Sequence, residues 1–240
     1  YTTLFRSGGT SDFSLVRLSP QRATRPDRRE DLLANGGVHI GGTDFDRLFS
    51  LASVMPLFGF RSLLKNQREM PSRIYYDLAT WHTINAAYTY RVLTEQKRFS
   101  FDAQEPEKPA RLFTLIEKRA GHWLANEVEQ AKIALSDQER TTLVLDRIET
   151  DLRRQLTREE FDAATTGLVG KIEAKLAALF RDAGVAPERV DTIFFTGGAS
   201  GVPNLRRRIA AMLPQARPVG GDLFGSIGAG LAIEAARRYG

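Results

Sequence analysis

A strand that runs into a glycine turn and then into a helix constrains the fold of this chain most. The apolar run Ile193–Phe195 predicts a short strand, Gly197 and Gly198 break it, and Pro203 lies where the first helical turn would begin. Glycines at such a turn let the main chain approach a ligand, and the helix start offers N–H groups to an anion. The pattern predicts an α/β fold, although a plain strand-to-helix connection can have the same sequence.

Composition excludes several classes of protein. The 240 residues are 42% hydrophobic and 26% charged, enough to bury the core of one large domain or two small ones. No apolar run reaches the roughly 18 residues of a membrane helix and no signal peptide opens the chain, so we expect a cytoplasmic protein with no membrane partner. The chain has no cysteine and three scattered histidines, which leaves oxygen as the expected ligand atom of any metal. The net charge of +5 comes from arginines interleaved with acids, so we expect no nucleic-acid partner.

The chain begins without methionine, and its first seven residues, 1–7, join no recognisable element. They match the translated end of a widely used short-read sequencing adaptor, which predicts a non-native leader. The alternative is a native, frayed terminus. If the segment is foreign, the native protein begins upstream and this chain is a fragment of it.

Three further glycine turns are predicted in the first fifty residues. Gly8–Asp12 precedes a predicted strand at Phe13–Leu18, and a polar loop is expected over Ser19–Asp31. Asn35–Gly37 predicts another turn. A short strand at residues 38–40 then leads through Gly41 and Gly42 into a helix.

The middle of the chain is predicted to be mostly helical. Aromatic residues among helix formers from residue 51 to 113 indicate a helical subdomain, with a polar break at Gln104–Pro109. Leucines at three- and four-residue steps predict one long helix over Arg111–Leu135. Glu129 and Lys132 lie on one flank of it, where they form either a ligand-binding pair or an ordinary helix ion pair.

The last third alternates strands and helices. A strand is predicted at Thr141–Ile148, and Thr157 with Glu160 forms a capping box that opens a helix ended by Gly184. A helix from Pro203 follows the opening glycine turn. Asp222 is the expected N-cap of a final glycine-bearing helix.

In this order, the motifs resemble the ATPase domain of the DnaK-type seventy-kilodalton heat-shock chaperones, within the actin and sugar-kinase superfamily. Residues 81–85 (Trp-His-Thr-Ile-Asn) look most like the YegD-type branch, which lacks a peptide-binding domain. The resemblance spans residues 8–239. It implies an α/β, actin-like (ribonuclease-H-like) ATPase lobe with an inserted, mostly helical subdomain. The lobe is expected at residues 8–42 and 157–240 and the insertion at 43–156.

The resemblance implies ATP or ADP with Mg²⁺ as cofactors. Thr10 and Asp12 match the catalytic tail of the family's second phosphate loop, and Asp12 is expected to hold Mg²⁺ through water. The residues expected to contact nucleotide are Gly8, Gly9, Thr10, Gly41, Gly42, Glu129, Lys132, Gly197, Gly198, Ala199, Ser200 and Asp222. These residue types suit a nucleotide, because the N–H groups of glycine turns can bind phosphates and an acid together with a lysine can bind the two ribose hydroxyls.

Five positions depart from the family pattern. The acid and first glycine that precede Gly8 in the family are absent, and Thr43 stands where an acid is usual. Ile133 and Gly201 stand where family members stack arginines on adenine, so the resemblance does not carry adenine affinity or selectivity over to this chain.

The implied function is that of the ATP-binding part of a chaperone-like ATPase. Protein clients or a nucleotide-exchange factor are its expected partners. A sugar or polyol kinase and an actin-like filament protein are the alternatives within the same superfamily. We expect the full-length protein to hydrolyse ATP to ADP and phosphate. The 240-residue chain itself is expected to be inactive.

Overall fold

A computed structural model describes residues 2–7, 9–23, 27, 29–220 and 226–239. The chain divides into two compact units, Tyr1–Gly42 with Gly167–Gly240, and Thr43–Thr166. The first is called the sheet unit and the second the helical unit. Residues 157–166, expected in the lobe, are grouped with the helical unit. Within the described ranges, no helix is both long and apolar enough to cross a bilayer.

The described residues form both strands and helices. The strands are β1 (Thr2–Ser7), β2 (Ser11–Val16), β3 (Leu32–Val38), β4 (Arg140–Val144), β5 (Arg153–Thr157), β6 (Thr192–Phe195) and β7 (Arg217–Gly220). The helices are α1 (Pro20–Ala23), α2 (Gly42–Phe49), α3 (Arg73–Ala79), α4 (Tyr90–Asp102), α5 (Glu107–Glu117), α6 (Gly121–Asp137), α7 (Arg158–Ala183), α8 (Pro203–Met212) and α9 (Ser226–Tyr239). Short helical turns lie at 29–31, 50–58, 84–88, 187–189 and 198–201.

The sheet unit is built on a mixed five-stranded sheet in the order β3-β2-β1-β6-β7. The β1–β2 and β2–β3 pairs are antiparallel, whereas β6 pairs in parallel with both β1 and β7. Alternating buried side chains such as Phe13 and Leu15 on β2 and Ile193 and Phe195 on β6 form the core. The carboxyl end of β6 therefore opens directly into the glycine turn at 197–198.

Strand β1 consists of six of the seven residues predicted to be a foreign leader. Strand pairing uses main-chain groups that almost any sequence can supply. The foreign origin therefore stays a prediction, and the encoding nucleotide sequence tests it: codons unlike the adaptor would refute it.

The helical unit packs around aromatic side chains. The Phe49 and Phe161 rings meet edge to face with centroids 5.1 Å apart, and Phe45 lies 6.3 Å from Phe161. Tyr75 is fully buried and donates its hydroxyl hydrogen to the carbonyl oxygen of Phe58 at 3.2 Å. These aromatic residues are core, as their spacing suggests.

The capping box at the start of α7 is confirmed in both of its hydrogen bonds. The Glu160 amide donates to the Thr157 hydroxyl at 3.1 Å, and the Thr157 amide donates to the Glu160 carboxylate at 3.0 Å. The predicted end is also confirmed, because α7 stops at Ala183 and Gly184 takes a φ of +61°.

The long helix predicted over residues 111–135 is wrong. The chain forms α5 and α6 with a break at 118–120, where Arg119 has a φ of +47°. A Cβ at Gly121 would lie 2.6 Å from both the Ile84 side chain and the Tyr88 hydroxyl oxygen. This close approach requires glycine there and fixes where α6 begins.

Four other local predictions are corrected. Asn35–Gly37 lies inside β3 rather than in a turn, and the strand expected at 38–40 ends at Val38. The break at 104–109 is shorter, because α5 begins at Glu107. The strand predicted over 141–148 is β4, and its antiparallel partner β5 was not anticipated.

Candidate functional site

The glycine turn after β6 has the predicted form. Gly197 has a φ of +83°, a conformation that side chains disfavour, and residues 198–201 form a 3-10 turn. The Ser200 amide and hydroxyl both donate to the Gly197 carbonyl oxygen, at 3.1 and 2.6 Å. Gly198 is exposed, and a Cβ built there meets nothing within 4 Å. Ser200 therefore stabilises the turn through two hydrogen bonds to Gly197, while Gly198 faces open space.

Thr10 and Asp12 lie together at the start of β2. The Thr10 hydroxyl donates to Asp12 Oδ2 at 2.8 Å, and the Asp12 side chain is exposed. Asp12 pairs with Gly37 across β2 and β3, where a Cβ at Gly37 would lie 2.5 Å from Asp12 Oδ1. The absent side chain at residue 37 therefore makes room for the Asp12 carboxylate.

The other glycines expected to contact nucleotide differ from one another in burial and surroundings. Gly41 is buried and Gly42 begins α2, so this pair does connect a strand to a helix. Gly9 is exposed with open space around it. Gly8 and Asp222 lie outside the described residues, as does the side chain of Ala199.

The structure gives Lys132 a partner that the sequence does not predict. Its ammonium nitrogen lies 2.9 Å from Oδ2 and 2.8 Å from Oδ1 of Asp46 on α2. Only 11% of the Lys132 side chain and 17% of the Asp46 side chain is exposed. The sequence left open whether Glu129 and Lys132 form a ligand-binding pair or an ordinary helix ion pair, and the ion pair that the structure shows for Lys132 is with Asp46.

Glu129 lies on the same flank of α6 and is exposed. Its charge is close enough to act on Asp46. Burial raises the pKa of Asp46 above the ordinary 3.8, the carboxylate of Glu129 acts in the same direction, and the Lys132 ammonium opposes both. The three side chains form an acid–lysine cluster, by which we mean Asp46, Glu129 and Lys132.

The structure describes both positions at which family members stack an arginine on adenine. Ile133 is 50% exposed on α6, directly after the lysine of the cluster. Gly201 ends the 3-10 turn after β6, with nothing within 4 Å of a Cβ built there. Neither position carries a charge that could stack on a base.

Sequence reasoning missed Asp46 and Gly37 as members of these groups. Asp46 was visible as the second acid of Asp44-Phe45-Asp46, but its pairing depends on packing between α2 and α6. The sequence showed Gly37 only as the second glycine of Asn35-Gly36-Gly37, which predicted a turn. Among the described residues, no group of three or more His, Asp or Glu side chains could hold a metal ion by itself.

The described residues form a mixed α/β fold, with glycine turns after strands and a mostly helical unit at residues 43–166. The sequence model of the Hsp70 protein family matches residues 101–236, more than half of the chain. The chain therefore belongs to the Hsp70 family, as the resemblance implied.

The chain is also similar to individual chaperone proteins. The chain is 27% identical to a chaperone protein HscA homolog of Aromatoleum aromaticum over 95% of this chain and 27% of that protein. It is 28% identical to the chaperone protein DnaK of Thermus thermophilus over 46% of this chain and 19% of that protein. An HscA homolog of Cupriavidus necator is 37% identical over 40% of this chain and 14% of its own. The chain thus spans about a quarter of the length of the first of these chaperones.

Proposed function

We propose that the chain is part of the nucleotide-binding region of a chaperone-like ATPase and contacts ATP or ADP with Mg²⁺. In this proposal the sheet unit corresponds to an actin-like ATPase lobe and the helical unit to its inserted subdomain. Membership of the Hsp70 family supports this assignment. The relatives named above are chaperones, so a sugar kinase or a filament protein is not favoured. Protein clients and a nucleotide-exchange factor are proposed partners of the whole protein.

The acid–lysine cluster is the observation that carries the proposal. An ammonium group has three N–H donors, and the two oxygens of Asp46 occupy at most two of them. One donor of Lys132 stays available, and the exposed Glu129 lies three residues earlier on the same helix. We infer that this donor and the Glu129 carboxylate bind the two hydroxyls of a ribose, with Asp46 holding the donor in place.

The groups of the sheet unit, taken by themselves, suit the phosphates of a nucleotide. Gly198 leaves the main chain after β6 open to close approach. Asp12 is exposed, oriented by Thr10, and has room over Gly37, which fits a carboxylate that holds a hydrated Mg²⁺. When bound, Mg²⁺ would neutralise phosphate charge. Asp12 would orient its water shell, and Thr10 would orient Asp12.

The ribose contact is tested by Glu129→Ala in a protein extended upstream by the first lobe that the resemblance implies. We expect this variant to bind ATP about tenfold more weakly, because a charge-assisted hydrogen bond is worth roughly 1.5 kcal/mol. It should also lose most of its preference for ATP over 2′,3′-dideoxy-ATP. Calorimetric titration measures both affinities.

Glu117→Ala, which removes an exposed acid at the end of α5, is the matched control and should bind like the wild type. Equal ATP affinity in wild type and Glu129→Ala would refute the ribose contact. Failure of the extended wild type to bind any nucleotide would refute the proposed function itself.

A further inference from the structure

A cavity in the helical unit is lined by α3 and α4. It is about 310 Å³ in volume, and its lining includes Arg73, Ile74 and Asp77 of α3. The α4 residues in the lining are 91, 92, 95, 96 and 99. Residues about one turn apart share a helix face, so each helix presents one face to this space. The volume is at the small end of the range for ligand sites and has room for one small organic molecule.

The lining of this cavity is mixed in character. Its apolar side chains include Ile74, Val92 and Phe99. Its charged side chains are two arginines and two acids, namely Arg73, Arg91, Asp77 and Glu95. Their formal charges cancel, although both signs are present. Complementary charges favour a ligand that is neutral overall, carries one charge of each sign and has an apolar part.

The Asp77 carboxylate is incompletely paired. Only 23% of its side chain is exposed, and the Nε atom of Arg73 lies 3.7 Å away, beyond the range of a hydrogen bond. Within the described ranges, no group donates a hydrogen bond to this carboxylate. Its oxygens keep accessible surface, so a molecule in the cavity can reach them. A charge in such a position is normally paired, and an ammonium group in the cavity is its expected partner.

Arg91 supplies the opposite charge. Its Nε atom donates a hydrogen bond to Oε1 of Glu95 at 3.0 Å. A guanidinium has five N–H donors, so the terminal nitrogens of Arg91 retain donors that match a carboxylate. The side chain is 87% exposed, which allows a bound carboxylate to reach these donors.

We propose that this cavity binds a small zwitterion with an apolar body, the chemistry of a free amino acid such as phenylalanine or leucine. Its ammonium group pairs with Asp77 and its carboxylate with Arg91. Its apolar side chain packs on Ile74, Val92 and Phe99. The site is independent of the proposed nucleotide contacts, because it uses none of their residues. The Hsp70 match begins at residue 101 and includes no residue of the lining.

Three probes share a phenyl ring and differ in charge. Phenylalanine carries both charges, 2-phenylethylamine lacks the carboxylate, and 3-phenylpropionate lacks the ammonium group. Each is titrated into the 240-residue chain at neutral pH, with binding followed by amide NMR shifts. We expect phenylalanine to shift the signals of residues 74, 86 and 92. Each of the other two should bind about tenfold more weakly, the loss expected for one charge-assisted hydrogen bond. Equal binding of the three probes, or no binding of any, would overturn the proposal.

Two substitutions separate the two charges. Asp77→Asn should remove the preference for phenylalanine over 3-phenylpropionate and keep the preference over 2-phenylethylamine, whereas Arg91→Met should do the reverse. Asp102→Asn and Arg98→Met remove exposed charges of α4 that lie outside the lining, so these matched controls should keep both preferences. Retention of both preferences in Asp77→Asn and in Arg91→Met would show that phenylalanine binds elsewhere.

Asp77→Asn is expected to fold, because the hydrogen bonds at the end of α3 use the main-chain carbonyl of Asp77. That oxygen accepts from the Thr80 amide at 3.4 Å and from the Thr83 hydroxyl at 3.0 Å. Val92→Phe fills the cavity while retaining both charges, and it should abolish binding of all three probes. Full phenylalanine binding in Val92→Phe would contradict the placement in this cavity, whatever the stability of Asp77→Asn.

Discussion

Lys132 on α6 and Asp46 on α2 form a largely buried ion pair between residues 86 positions apart in the chain. The pair joins two helices of the helical unit through a residue that the family resemblance assigns to nucleotide contact. Lys132 therefore has a structural role as well as a proposed binding role. A substitution there must be interpreted with both in mind.

Lys132→Met should destabilise the protein at neutral pH. The methionine retains most of the apolar stem of lysine but leaves the Asp46 carboxylate buried beside Glu129 without a counter-ion. We expect a loss of about 1–3 kcal/mol in the free energy of unfolding, measured by urea denaturation. Arg98→Met, which removes an exposed cation on the same unit, is the control and should change stability by less than about 0.5 kcal/mol.

The same variant should show a characteristic pH dependence. The pKa of Asp46 is already raised above 3.8 by burial, and loss of the Lys132 ammonium should raise it further. A carboxyl group whose pKa is higher in the folded state stabilises the fold fully below pH 3.8. That stability is lost as the pH rises through the folded-state pKa. The loss in free energy of unfolding caused by Lys132→Met should therefore become smaller towards acid pH. A loss that is constant with pH would contradict the assignment of the effect to the Asp46 carboxylate.

Local signals allowed much of the fold to be predicted. The capping box of Thr157 and Glu160 depends on residues three apart, and the positive φ of Gly197 depends on one residue. Such features are encoded by short-range main-chain chemistry, so the sequence displays them directly. The glycine turn at 197–198 and the starts of α2, α7 and α8 followed from signals of this kind.

Features set by tertiary packing were not predictable in the same way. Arg119 adopts a φ of +47° that arginine seldom takes, and the constraint on Gly121 comes from Ile84 and Tyr88 in a distant turn. Glycine disfavours strands, yet Gly36 and Gly37 lie in β3, where Leu179 and Asp12 occupy the space beside them. The partner of Lys132 likewise depends on how α2 packs against α6.

Gly37→Ala tests whether the space over β3 orients Asp12. The new Cβ would lie 2.5 Å from Asp12 Oδ1 and 3.2 Å from the Ser11 carbonyl oxygen, so the carboxylate must turn away. We expect a loss of about 1 kcal/mol in stability, together with changed NMR shifts at Thr10 as its hydrogen bond to Asp12 breaks.

Gly36→Ala is the neighbouring control. Its Cβ would meet the flexible end of Leu179 at 3.3 Å, which can move, so Thr10 should keep its shifts. If both variants left Thr10 unchanged, Gly37 would have no role in placing Asp12.

Gly198→Val tests the turn after β6 as a nucleotide contact. Gly198 is exposed and its Cβ position is open, so a branched side chain should cost little stability. The same side chain would keep a ligand from the main chain. In the upstream-extended protein we therefore expect at least a tenfold loss of ATP affinity with a nearly unchanged melting temperature.

Gly197→Ala is the informative contrast. Its φ of +83° disfavours any side chain, so this variant should lose about 1 kcal/mol of stability. Unchanged ATP affinity in Gly198→Val would remove the turn from the site.

The 240-residue chain should fold at least in part and yet release no phosphate from ATP. By the resemblance, the first phosphate loop, its lysine and the acid before Gly8 all belong to sequence upstream. Phosphoryl transfer depends almost wholly on positioning and on charge stabilisation, so loss of these groups removes most of the catalysis. Each lost contact worth about 1.4 kcal/mol weakens binding tenfold, which moves a micromolar site towards millimolar when several are lost.

A phosphate-release assay on this chain, beside one extended upstream, measures the difference. We expect magnesium-dependent turnover in the extended protein and none above background in the shorter one. Asp12→Asn in the extended protein is the matched variant: it retains the shape of the side chain at the start of β2 but removes the charge proposed to orient the Mg²⁺ water shell. Its turnover should fall at least tenfold. Turnover by the 240-residue chain alone would show that the resemblance has misplaced the catalytic groups, because Thr10 and Asp12 would then suffice without the upstream acids.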